Sequence, residues 1–166
     1  MSTDAIVMLK DDHKTVKRLF KEFQANEDGP AAKKAKIVEQ ILAELTVHTY
    51  LENEVMYPEV RRLLPDLDED VLESYEEHHV ADVLCLELST MEPGDEHYNA
   101  KVTVLIENVT HHIDEEEQEW FPKVREGLGR HQLQEIGARM LELRPGAPRK
   151  PSEPAALKKA LDAINA

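Results

Sequence analysis

The sequence predicts an all-α fold: an antiparallel up-down four-helix bundle with a short C-terminal helix and a tail. Three observations carry that expectation. Apolar residues recur three and four positions apart through four long stretches. The helix-breaking residues gather in short clusters between those stretches. No alternating apolar and polar run is long enough for a strand, and aromatics make up only 5% of the 166 residues, lean for a sheet protein.

Each element follows in order. Residues 3–23 carry Ile6, Leu9, Val16, Leu19, Phe20 and Phe23 at helical spacing. Asn26 to Pro30 forms a turn cluster, with Pro30 suited to the start of the next helix. The second pattern spans 31–64 and stops at Leu64-Pro65; Pro58 inside it predicts a kink or local break near Tyr57. The third spans 68–91, up to Glu92-Pro93-Gly94, and the fourth spans 96–127 with Pro122 inside it. A shorter helix is expected over 131–143. Prolines 145, 148, 151 and 154 then predict an extended linker, with a last turn or two of helix over 155–164. The expected organisation is a bundle over 1–126, an extra helix packed on it over 127–144, and a Pro-rich linker and tail over 145–166.

Charge and cysteine content narrow the function. Lys and Arg number 20 against 34 Asp and Glu, a net charge of −14. That balance disfavours nucleic acid as a partner, because phosphate binding draws on Lys and Arg, and an anionic membrane for the same reason. A single cysteine, Cys85, excludes an internal disulfide and a cysteine-based zinc cluster. No stretch approaches the roughly 18 apolar residues of a membrane span, and Asp4 interrupts any leader-like run over residues 1–10. A cytoplasmic location is expected.

The chemistry lies in a repeat. His48-x-x-x-Glu52 is followed by Tyr57-Pro58, and His112-x-x-x-Glu116 by Phe121-Pro122, with identical spacing. Residues i and i+4 share a helix face, so each His and Glu can reach one point. Both pairs fall on the apolar stripe of their helix: Ile41, Leu45, His48, Glu52, Val55 in the second and Leu105, Val109, His112, Glu116, Trp120 in the fourth. An unpaired carboxylate there would cost several kcal/mol or neutralise itself, and a cation removes that cost. The other two helices each add an inward histidine, His13 and His78. Four imidazoles and two carboxylates suit iron, manganese, cobalt or zinc better than magnesium or calcium. Six ligands with two bridging carboxylates point to a dinuclear site.

Other residues have plainer readings. His97 and His131 sit near helix starts, as surface or capping residues. Residues 115–119 other than Glu116 read as a solvated acidic face, and Met56, Trp120 and Cys85 as core. Tyr57 is open between packing and ligation. It lies about 140° round an ideal helix from Glu52 and would miss the metal, but Pro58 can loosen that turn.

As a set, Asp12-His13, His48-x-x-x-Glu52, Glu77-His78 and His112-x-x-x-Glu116 resemble the hemerythrin-like, HHE cation-binding family over residues 6–124, and the whole chain is similar to its actinobacterial members. The resemblance implies two iron ions per chain, bridged by Glu52 and Glu116 and by an oxo or hydroxo group. His13 and His48 would bind one iron, and His78 and His112 the other. Oxygen-carrying members have a further histidine one turn from His78, where this chain has Asp82 on one side and Ser74 on the other. Either an iron keeps an open position, or Tyr57, His79, His111 or Asp82 fills it. Fewer imidazoles stabilise ferric iron, so the implied function is reaction with O2, peroxide or nitric oxide rather than reversible oxygen carriage. The alternatives are an O2- or iron-binding or sensing protein without turnover, and a helical interaction module with a polar core.

Overall fold

The structure, a computed structural model, describes residues 3–151. The turn of helix expected over 155–164 and most of the expected tail lie outside the described residues. Asp4 starts the first helix, α1 (Ala5–Ala25), by accepting a hydrogen bond from Val7 N at 3.1 Å. Arg125 reaches the same carboxylate at 3.1 and 3.2 Å and ties the chain start to the end of the bundle. After Pro30 comes α2 (Ala31–Leu51), which passes without a break into a π-helical turn, Glu52–Met56, and then into α3 (Tyr57–Leu63). A 3-10 turn leads into α4 (Asp68–Ser89), whose first turn holds three acidic residues, favourable at the positive end of the helix dipole.

The fourth rod repeats the second. Helix α5 (Tyr98–Glu115) passes into a π-helical turn, Glu116–Trp120, and then α6 (Phe121–Gly127). The prolines explain both turns. Pro58 and Pro122 have no N–H for the carbonyl four residues back, and their rings crowd it. The preceding residues bond one position further away, Tyr57 N to Glu52 O and Phe121 N to Glu116 O. The kink expected near Tyr57 is therefore a widened turn within a continuous helix.

Helix α1 packs on α2 and α4 on α5, while contacts of α2 with α4 and of α1 with α5 close the ring. This is the expected all-α bundle, with the two repeat-bearing rods on opposite corners. The extra helix α7 (Arg130–Leu143) lies on α1 and on the first π turn, burying Leu133, Ile136 and Met140. A Cβ at Gly137 would fall 1.6 Å from the Thr3 carbonyl oxygen, so glycine allows α7 its close approach.

Three boundaries differ from expectation. α4 ends at Ser89 and α5 starts at Tyr98, because a turn intervenes in which Asp95 Oδ2 accepts from Glu92 N at 2.8 Å. Residues 144–146 are not extended but form a 3-10 turn, after which Ala147 is extended and buried. The core has two apolar blocks. One holds Val16, Leu45, Ala81, Val109 and Ile113; the other holds Leu9, Leu51, Met56, Tyr75 and Trp120 with the buried face of α7. His13, His78 and Glu116 fall in sequence where their helices pass from one block to the other.

Candidate metal centre

His13 on α1, His48 on α2, His78 on α4 and His112 on α5 all point inward and are buried, as are Glu52 and Glu116 at the starts of the two π turns. Glu52 has no exposed surface at all. The structure brings all six together in two groups. Ligand atoms of His13, His48 and Glu116 lie within 4.8 Å of one another, and so do those of Glu52, His78 and His112. Glu52 Oε1 stands 2.8 Å from His48 Nε2 and 3.5 Å from His78 Nε2. Glu116 Oε1 stands 3.3 Å from both His13 Nε2 and His112 Nε2. Each carboxylate thus faces imidazoles from two helices.

The closeness is not hydrogen bonding. Both Glu52 oxygens, Glu116 Oε1, His48 Nε2 and both His13 nitrogens lack an aligned hydrogen-bond partner. Each such buried group costs about 1–3 kcal/mol. His78 Nε2 and His112 Nε2 face each other at 3.1 Å. Two ligands about 2.0–2.1 Å from one first-row ion stand roughly 3 Å apart when they subtend a right angle. The residues fit a metal.

Outer partners orient the rings. His48 Nδ1 meets Asp12 Oδ2 at 3.1 Å, His78 Nδ1 meets Asn53 Oδ1 at 2.8 Å, and His112 Nδ1 meets Glu77 Oε1 at 3.3 Å. An acceptor at Nδ1 leaves the Nε2 lone pair for a metal. Asp12 also accepts from Arg144 Nη2 at 2.9 Å. Glu117 Oε2 is 3.7 Å from His13 Nδ1, so the acidic face expected over 115–119 is not wholly solvated. Sequence reasoning missed Asn53, Glu117 and Arg144. The adjacency of Asp12 to His13 and Glu77 to His78 was a signal, but each carboxylate serves the histidine of a neighbouring helix.

Electrostatics point the same way. Burial disfavours an imidazolium at His48, yet Glu52 and Asp12 outweigh it and push its pKa up to about 10. Burial likewise opposes charge at His112, and Glu116 and Glu77 hold its pKa well above the usual value. Glu116 is pulled well below the carboxylate range, chiefly by His112, against burial. Without a metal, protons on imidazoles supply the positive charge that the carboxylates demand.

Tyr57 departs from the ideal-helix expectation. The π turn rotates it back over Glu52, and its hydroxyl donates to Glu116 Oε2 at 2.9 Å, 3.2 Å from His78 Nε2 and 3.4 Å from His112 Nε2. Burial, then Glu116 and Glu52, push its pKa well above the phenol range. The other spare candidates stay out of the two groups. His111 is 67% exposed and pairs with Glu115, and neither His79 nor Asp82 contributes a ligand atom. Burial raises the Asp82 carboxyl against the pull of His78 and His79. Exposed His97 precedes α5, and His131 pairs with Glu135 on the surface. Cys85 is buried, with its thiol pKa pushed up by burial, as a core residue.

Four antiparallel helices converging imidazoles and carboxylates on one buried point define a helical-bundle metal-binding protein. The family model for the hemerythrin HHE cation binding domain matches residues 4–124, and the chain belongs to that family. A crystal structure of a hemerythrin HHE cation binding domain-containing protein from Mycobacterium kansasii shares the fold, with a TM-score of 0.68 at 18% identity over 98% of this chain and 90% of that one. A protein named DNA nickase from Nostoc sp. (strain PCC 7120) is 29% identical over 128 residues, or 77% of this chain. The match spans 35% of that relative's length.

Proposed function

We propose that the chain is a non-heme di-iron protein that reacts with small oxidants, O2, peroxide or nitric oxide, at a carboxylate-bridged iron pair. The observation that carries this reading is the pair Glu52 and Glu116, buried between four imidazoles with three of their four carboxylate oxygens lacking a hydrogen-bond partner. His13 and His48 would hold one iron and His78 and His112 the other, with both glutamates spanning the two. When bound, iron supplies one-electron redox chemistry and binding positions for small oxygen and nitrogen ligands.

The chain's own residues do the rest. Tyr57 carries a proton at Oη beside Glu116 and offers an oxygen where a seventh ligand would stand. As a phenolate it would favour ferric iron, in keeping with redox chemistry over reversible carriage. Met56, Trp120 and Phe121 are buried and keep bulk water from one end of the centre. Asp12, Asn53 and Glu77 fix the rings. We extend the reading to a cytoplasmic protein, in keeping with the single buried cysteine. Among the described residues no helix is long and apolar enough to cross a membrane. A net charge of −14 disfavours a phosphate backbone, so nucleic acid is not a proposed partner.

Elemental analysis of protein made in iron-replete cells tests the reading and should give about two iron per chain, as in other di-iron bundles. Zinc alone, or no metal, would overturn it. Spectra of the reduced, iron-loaded protein exposed separately to O2, H2O2 and NO then choose the ligand, and a stable reversible oxy spectrum would favour carriage instead.

A further inference from the structure

The centre has two unlike flanks. On one side, the four histidines abut a cavity whose walls are mainly apolar, with Val16, Leu45, Val109 and Ile113, and to which Thr49, Glu77 and Asn108 add the polar part. On the other, a cleft runs in from the surface between α4 and α5. Its sides carry Asp70, Glu73 and Glu77 from α4, with Glu115 and Glu119 opposite. At its inner wall lie His112, Glu116 and Trp120, themselves buried. Behind that wall Glu116 Oε1 and Trp120 Nε1 are buried and have no hydrogen-bond partner. Lys123 is the one cation on its lining, and it is paired with Asp70 at 3.3 Å.

A second grouping stands beside the cleft. Ligand atoms of Glu77, His111 and Glu115 lie within 4.8 Å of one another, with His111 Nε2 3.1 Å from Glu115 Oε1. Unlike the buried groups, this one is open to water, and it touches the centre directly because Glu77 Oε1 is 3.3 Å from His112 Nδ1. A hydrated divalent cation would lose its water shell at high cost along the apolar flank. Along the cleft, carboxylates can replace that water step by step, and walls of one charge sign focus the field and raise local cation concentration.

We propose that the cleft loads the centre: the exposed Glu73 and Glu119 capture a divalent first-row cation at its mouth, and Glu77 and Glu115, with His111 beside them, pass it to Glu116 and His112. This rests on the metal-centre reading above. The ion enters as the divalent aquo species and exchanges water stepwise for carboxylate oxygens and then for imidazole nitrogens, with no change of oxidation state.

The test is uptake of Fe(II), and separately Co(II), by the full metal-free chain under anaerobic conditions in a stopped-flow instrument. Trp120, the single tryptophan, reports arrival by fluorescence quenching, and elemental analysis gives the end point. Glu73→Gln/Glu119→Gln and His111→Ala/Glu115→Gln should each slow uptake about tenfold or more at low salt, the range expected of electrostatic focusing. The end-point metal content should match wild type, and the rate difference should collapse in about 1 M salt, where the screening length is roughly 3 Å. On α2, Glu39→Gln/Glu44→Gln is the charge-matched control for the first variant and Glu44→Gln alone for the second. Uptake by the cleft variants as fast as by their controls would overturn the loading route and leave the di-iron reading standing. A lost end point in the cleft variants would also overturn it, by making these residues part of the centre. No uptake by the wild-type chain would overturn the metal-centre reading, and the route with it.

Discussion

The segments His48–Pro58 and His112–Pro122 are the same device built twice, and at the aromatic position, Tyr57 against Phe121, they differ by one hydroxyl. In each, a histidine and a glutamate one turn apart face the centre, and a π turn forced by the following proline brings an aromatic ring back toward it. Each ring covers the histidine of another helix: Phe121 stacks on His13 at 5.8 Å and 9°, and Tyr57 lies 5.2 Å from His78. Only Tyr57 carries a hydroxyl, and it alone bonds Glu116. A repeated frame therefore yields two unlike groups of candidate ligands, and Tyr57 is the difference between them.

Removing what the copies share should have the largest effect. Glu52→Gln and Glu116→Gln should each lower metal affinity beyond the ~10–100-fold that an outer partner is worth, read by competition with a chelator. If one variant retains two ions per chain, the copies are not functionally paired.

The outer partners separate the copies next. Asp12→Asn and Glu77→Gln should each weaken binding by about 10–100-fold in the same assay. Asp12→Asn should be the worse of the two and should lower Tm as well, because it also breaks the contact with Arg144. Equal losses with equal Tm would remove that asymmetry.

Acidity offers a third handle. The folded pKa of His48 is about 10 against an ordinary 6.5, and that of His112 is raised too. The folded metal-free chain holds protons that the unfolded chain releases, so this stabilisation is complete below about pH 6.5 and is lost as pH climbs toward 10. Glu116, depressed below 4.5, adds stability that is present above that value and lost in acid. Metal-free protein should therefore melt at a lower temperature at pH 9 than at pH 6, whereas metal-loaded protein should show little of this slope. Parallel slopes would show that the imidazoles do not carry those protons.

The hydroxyl difference predicts the smallest change. Tyr57→Phe makes the copies alike at the aromatic position and should destabilise the metal-free chain by roughly 1–2 kcal/mol, through the lost bond to Glu116. In the iron-loaded protein it should abolish a visible charge-transfer band. An unchanged spectrum would reduce Tyr57 to packing.

These positions were unequally legible in the sequence. The bundle and the six inward residues follow from periodicity, because a charged group on an apolar stripe shows itself at helical spacing. The hydroxyl of Tyr57 does not, since five residues on an ideal helix turn it away from Glu52, and only a π turn returns it. Pro58 was the sign of that turn, and Pro122 repeats it. Asn53, Glu117 and Arg144 were beyond reach for another reason: they act across helices, where spacing along one chain segment says nothing. The residues 144–146 looked extended because prolines remove helix donors, but the buried alanine after them and an ion pair hold them on the bundle.

Arg144 gives the centre a history. A ribosome makes His13, His48, His78 and His112 well before it makes the arginine that steadies Asp12 behind His48. While α7 and the turn after it are still inside the exit tunnel, a nascent bundle can gather its ligands but lacks the clamp on that ring. The ring of His48 would then gain its full support only once Arg144 has emerged and reached Asp12.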